Sequence, residues 1–109
     1  MIETDLYSSL KEVIDNVHPV KMMEGEIYPA IVYQVIYDGT SQSINGLICG
    51  RVVRIQVDIY AKQYGEAKSL KNQVVLKLLE LEAVEISAQD LYEDDLKLHR
   101  QMIDFIIKE

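Results

Sequence analysis

Arg51-Val52-Val53-Arg54-Ile55-Gln56-Val57-Asp58-Ile59-Tyr60-Ala61 is the stretch that decides the fold, because Val53, Ile55, Val57 and Ile59 alternate strictly with Arg54, Gln56, Asp58 and Tyr60. A period of two sends these sets to opposite faces, which predicts a half-buried strand with one polar face. After a short link at Lys62-Gln63 the period lengthens. Ala67, Leu70, Val74, Leu78 and Leu81 recur every three or four residues, with Val75 and Leu79 widening the stripe. Arg51 to Leu81 therefore reads as a strand followed by a helix, each with one apolar side to bury.

Upstream, Leu6, Leu10, Val13 and Val17 are spaced for an amphipathic helix of about three turns, capped by Thr4 and ending near Asn16. Val17-His18-Pro19-Val20 reads as extended, since a proline has no amide hydrogen to give a helix and biases His18 toward the β region. A second strand is expected to start after Pro29 and run to Tyr37, with Ile31, Tyr33, Val35 and Tyr37 on one face and Val32, Gln34 and Ile36 on the other, covered on both sides. Asp38 to Gly46 has the composition of an exposed, mobile connection.

Downstream the period returns to two. Val84, Ile86 and Ala88 alternate with Glu85 and Ser87, and after the acidic turn Glu93-Asp94-Asp95 a second extended run covers Leu96 to Ile107, which completes a hairpin. The order helix, strand, strand, helix, strand, strand predicts an α+β fold: a mainly antiparallel four-stranded sheet with two principal helices packed on one face. With 109 residues, 49% of them hydrophobic, the chain is expected to form one domain spanning residues 1–109.

Composition also limits function. The net charge is -7, and from Glu80 onward nine acids face only Lys97, Arg100 and Lys108, so that the first 79 residues carry just -1. Binding to phosphates needs a basic footprint, and this balance argues against specific nucleic-acid recognition. Apolar runs such as Pro29 to Ile36 fall far short of the roughly 20 residues of a spanning helix, so no membrane span is expected. One cysteine, Cys49, and an acidic start at Met1-Ile2-Glu3-Thr4-Asp5 fit folding in a reducing cytoplasm.

Chemistry finds little footing. His18 and His99 lie in no metal-ligand spacing, and Cys49, within Leu47-Ile48-Cys49-Gly50, reads as a small buried hydrophobe. Asp90, Glu93, Asp94 and Asp95 lack the ligand alternation and glycine of a calcium loop. Gly39, Gly46 and Gly50 form no phosphate-binding pattern, and no serine sits in a nucleophile elbow. No enzyme, cofactor or metal site is expected. The polar row Arg54, Gln56, Asp58 and Tyr60, with Asp38, Gln42 and Asn45 of the connection, is the candidate contact surface for a neighbouring subunit. Tyrosines at strand and loop positions suit either an interface or sheet packing.

Several segments, taken in order, resemble the phage tail-terminator or tail-completion family of long-tailed phages and prophages. They are Ile2-Glu3-Thr4-Asp5-Leu6-Tyr7, Val17-His18-Pro19, Pro29-Ala30-Ile31-Val32-Tyr33-Gln34, Arg54 to Ala61, Tyr64-Gly65-Glu66-Ala67-Lys68-Ser69-Leu70, Asp90-Leu91-Tyr92-Glu93 and Asp104-Phe105. The resemblance implies a mixed α/β subunit without a cofactor. It implies a homo-oligomeric, hexameric ring that caps the head-proximal end of the tail tube, stops its polymerisation and meets the head connector proteins. Assembly in the host cytoplasm, residence in the virion tail and passage of DNA through the ring go with that reading. A head-tail joining or adaptor protein is the alternative, followed by a small ligand-binding α+β domain.

Overall fold

The computed structural model describes residues 2–19, 28–42, 48–95 and 97–108. Its elements are α1 (Ile2–Val13), β1 (Val17–Pro19), β2 (Ala30–Gln42), β3 (Ile48–Ala61), α2 (Tyr64–Glu80), β4 (Val84–Glu93) and β5 (Leu98–Lys108). The strands form a five-stranded sheet in the order β1-β2-β3-β5-β4. All pairs are antiparallel except β1 with β2, which run parallel through Val17↔Ile31, His18↔Val32 and Pro19↔Tyr33. The fold is α+β as expected, but the sheet is five-stranded and mixed where the sequence pointed to four antiparallel strands. The extra strand is the extended Val17-His18-Pro19 segment, which reaches β2 through a bond from the Ile31 amide to the Asn16 carbonyl (2.9 Å).

The core lies between one face of the sheet and the two helices. Val53, Ile55, Val57 and Ile59 of β3 are almost wholly buried, as their alternation predicts, and face Leu6 and Leu10 of α1 and Leu70, Val74 and Leu78 of α2. β5 adds Ile103, Phe105 and Ile107. The two helices are joined at their polar margin, where Lys77 Nζ lies 2.6 Å from Glu12 Oε2. Two features of the helical stripes differ from expectation. α1 begins at Ile2, so Thr4 lies inside the helix and does not cap it, and it ends at Val13. Leu79, expected in the buried stripe of α2, is exposed beside Leu76, because the sheet accepts only the narrower stripe through Ala67, Leu70, Val74 and Leu78.

α2 stops in a tight hydrogen-bonded turn. The Glu82 amide bonds to the Leu79 carbonyl (3.1 Å) and the Ala83 amide to the Leu78 carbonyl (3.0 Å), the two bonds of a Schellman motif. Glu82 sits at the position that favours glycine, with φ 62.

β2 and β3 make a long hairpin. The segment Asp38 to Gln42, expected as a mobile connection, is strand: Asp38 pairs with Val53, Thr40 with Arg51 and Gln42 with Ile48. Asp-Gly-Thr-Ser-Gln has loop composition, but pairing with β3 satisfies its backbone groups and overrides that preference. β5 follows β3 only as far as Val52↔Lys108, so the hairpin projects past the sheet as an arm. Its 14-residue β3 accounts for most of the 52 Å long axis of the molecule at about 3.4 Å per residue. The remainder of the expected connection, up to Gly46, and the side chains of Gln42 and Cys49 lie outside what the structure describes.

A candidate assembly surface on the open face of the sheet

The face of the sheet opposite the helices carries the polar row of β3, and the register places β5 partners beside it: Arg54 opposite Ile106, Gln56 opposite Asp104, Asp58 opposite Met102 and Tyr60 opposite Arg100. Two charge-paired groups run across these strands, with one hydrogen bond along β3 between them. Arg54 donates Nε and Nη2 to the two carboxylate oxygens of Asp104 (3.0 and 2.7 Å). Gln56 donates Nε2 to Asp58 Oδ2 (2.9 Å). Arg100 donates Nε to Asp58 Oδ1 (2.9 Å) and Nη1 to Glu93 Oε1 (2.7 Å), and its guanidinium lies 5.6 Å from the centre of the Tyr60 ring.

This pairing changes the character of the row. Asp58 was expected on an exposed polar face, yet it is buried, because Arg100 closes over it from the neighbouring strand. Burial works against the Arg100 charge, but the hydrogen bonds to Asp58 and Glu93 outweigh it and raise its pKa above the ordinary value. Asp104 likewise raises that of Arg54. Partial burial pushes the Tyr60 hydroxyl upward. With Arg54 and Arg100 paired to Asp104, Asp58 and Glu93, this part of the face is nearly neutralised and unsuited to capturing a charged small ligand through these side chains. Among these paired charged side chains Arg54 is the most accessible, with about half of it exposed (52%).

Asp38 belongs elsewhere. A bulge between Val35 and Tyr37 inserts one residue into β2, so Tyr37 pairs with Arg54 and Asp38 with Val53. The extra residue reverses the parity of every later side chain. Tyr37, expected on the same face as Ile31, Tyr33 and Val35, therefore moves to the open face, where it lies over Gly39; a Cβ at Gly39 would run into the Tyr37 ring. Asp38 turns to the helix side of the arm and accepts two bonds from Arg51 (2.8 and 2.6 Å), which hold its carboxyl below the ordinary range. β2 is thus covered on both sides only near its start, where Ala30, Ile31 and Val32 are buried, while Ile36 and Tyr37 are exposed.

The structure brings together Arg54, Gln56, Asp58 and Tyr60, and puts Asp38 on the other side of the hairpin. Gln42 is placed by its backbone on the arm, and Asn45 lies outside the described residues. Reading the sequence missed Arg100, Asp104 and Glu93, which complete the open face. The signal was present in β5, where Arg100, Met102, Asp104 and Ile106 alternate with Gln101, Ile103, Phe105 and Ile107. A second polar cluster lies on the helix side at the sheet margin. There Asp90 accepts bonds from Gln101 (2.7 Å), Tyr64 (2.9 Å) and Lys68 (3.2 Å), tying the start of α2 to β4. His99 packs against Tyr64 and Tyr92, and His18 bonds to Asn16, so the two histidines serve separate places. Among the described residues no three His, Cys, Asp or Glu side chains gather to hold a metal ion.

Comparison with known proteins gives this surface its context. The family profile described as tail completion protein gp17 matches residues 7–108. No curated protein sequence matches the chain. Among solved structures, a chain of the virion of a native gene transfer agent particle is similar at a TM-score of 0.64 and 11% identity, over 94% of this chain and 90% of that one, a likeness of fold. The match to the family profile takes in part of α1 and every strand and helix after it, and on that ground the chain belongs to the tail completion protein gp17 family, whose members are structural virion proteins of phage tails and not enzymes.

Proposed function

We propose that residues 1–109 act as one tail-terminator-like domain, copies of which close into a hexameric ring on the head-proximal end of the tail tube. There the ring stops tube polymerisation and offers the surface to which the head connector attaches. The observation that carries this reading is a family match over nearly the whole chain combined with two kinds of exposed surface on one subunit. One is the open sheet face with Arg54, Gln56 and Tyr60, and the other is the projecting β2–β3 arm with Asp38. A ring needs each subunit to offer two different patches to its neighbours, and the face and the arm supply them. Asp58 contributes indirectly, by fixing Arg100 against Tyr60.

The subunit assembles in the host cytoplasm and ends in the virion tail; the likeness to a chain of a gene transfer agent virion supports a place in the particle. The mass of the purified protein, measured alone and after mixing with tail tubes, tests the proposal. A closed oligomer in either setting supports it, and a strictly monomeric mass in both contradicts it.

A further inference from the structure

Two groups of exposed apolar side chains stand on opposite sides of the molecule. One crosses the open face of the sheet at the base of the arm, in a line that the register fixes: Tyr37 beside Arg54, Arg54 beside Ile106, and Ile106 beside Val84. Residues paired directly across strands share a face, so these four form one stripe over β2, β3, β5 and β4. Tyr37 and Val84 are exposed and Ile106 is half-buried. The second group is a ridge on α2. Leu76 and Leu79 lie on one side of the helix, away from its buried stripe, with more than half of each exposed (63% and 56%). Glu80, one turn after Leu76, flanks them with 70% of its side chain exposed.

Both groups lie at the arm end of the molecule, since α2 stops shortly before Val84, which heads β4 and sits in the stripe. The ridge is on the helix side, to which Asp38 of the arm also turns, whereas the stripe belongs to the open face. A single exposed leucine needs no explanation, but apolar groups clustered beside charge mark a contact. The charges say which contact. Arg54, the cation of the stripe, gives Nε and Nη2 to Asp104, and its Nη1 makes no hydrogen bond among the described residues. Glu80 lies 3.8 Å from Lys77, which is held closer by Glu12 at 2.6 Å. Ridge and stripe therefore each offer apolar area and one charge with bonding capacity to spare, and the two charges are of opposite sign.

We propose that the α2 ridge of one copy, Leu76 and Leu79 with Glu80, packs on the stripe of Tyr37, Arg54, Ile106 and Val84 in the next copy, where Glu80 meets Arg54. The occupant is a second copy because one subunit carries both complementary surfaces and presents them on different sides. Each copy gives its ridge to one neighbour and its stripe to the other, the head-to-tail repeat from which a ring closes. This inference rests on the ring reading and names the contacts inside its two patches.

Charge reversal tests it, with assembly read by mass and by co-sedimentation with tail tubes. Arg54→Glu alone and Glu80→Arg alone should each lower the assembled fraction by about tenfold, and the double variant should recover most of it. Thermal unfolding of each variant checks that the monomer folds. Should a charge variant fail to fold, cross-linking decides. In a Cys49→Ser background, copies carrying Leu76→Cys are mixed with copies carrying Tyr37→Cys and oxidised, and a disulfide-linked pair that requires both populations is expected. Oligomers that form without charge rescue, or without the mixed disulfide where that decides, overturn the joint and leave the ring reading standing. Disulfide links to the tube protein alone also overturn it. Monomers under every condition overturn both.

Discussion

Arg100 Nε lies 2.9 Å from Asp58 Oδ1, joining two strands through residues 42 positions apart, and the Asp58 side chain is only 8% exposed. Removing one partner of such a pair strands the other in a poorly solvated place. Asp58→Ala should therefore destabilise the fold by about 2–4 kcal/mol. Arg54→Ala breaks the bidentate pair with Asp104 in a more solvated setting and should shift the unfolding midpoint far less than Asp58→Ala. Urea unfolding of the two variants checks the contrast. Arg54→Glu should leave the monomer folded and reduce assembly on tail tubes, read by co-sedimentation.

The end of α2 permits a gain in stability. Glu82 occupies the left-handed position of the Schellman motif, where a side chain costs about 1 kcal/mol relative to glycine. Glu82→Gly should raise the thermal midpoint, with the circular dichroism spectrum unchanged. A lowered midpoint would show that the carboxylate contributes more than the backbone strain removes.

Adjacent leucines on α2 should behave differently. Leu78 is fully buried in the core and Leu79 is 56% exposed. Leu78→Ala should cost about 3–5 kcal/mol through lost burial and the cavity left behind, and Leu79→Ala no more than about 0.5 kcal/mol. Denaturant midpoints measured side by side decide this. A loss on assembly for the Leu79 variant with stability intact would mark this helix face as a contact.

Acid should weaken the fold through Asp90. Hydrogen bonds from Gln101, Tyr64 and Lys68 hold its carboxyl below the ordinary value of 3.8. A carboxyl whose pKa is lower in the folded state stabilises folding above the unfolded value and loses that contribution as pH falls through the folded value. Asp38, lowered by Arg51, acts in the same direction. Stability should be level near neutrality and decline below about pH 4, and Asp90→Asn should make the decline shallower. Urea midpoints at three pH values test the slope.

Local pattern and tertiary pairing account for what could be read from the chain and what could not. The alternation of Val53, Ile55, Val57 and Ile59 and the stripe through Ala67, Leu70, Val74 and Leu78 are local, so β3, α2 and their buried sides were legible. Val17-His18-Pro19 was legible as extended but not as a strand of the sheet, because its pairing with Ile31 to Tyr33 is set by distant chain. The bulge at Ile36 escaped for a related reason: one inserted residue reverses the facing of Tyr37 and Asp38 without changing composition. Burial of Asp58 depends on Arg100, which no window around β3 contains. Of the candidate contacts, the four on β3 were readable as one face, whereas the opposite placement of Asp38 needed the register.

The central claim, that this chain completes the tail as a ring at its head-proximal end, is tested most directly by deleting its gene and imaging the particles by electron microscopy. The account predicts overlong tails separated from filled heads, with normal length and attachment restored by the wild-type chain supplied in trans. Tails of normal length joined to heads in the deletion would contradict it.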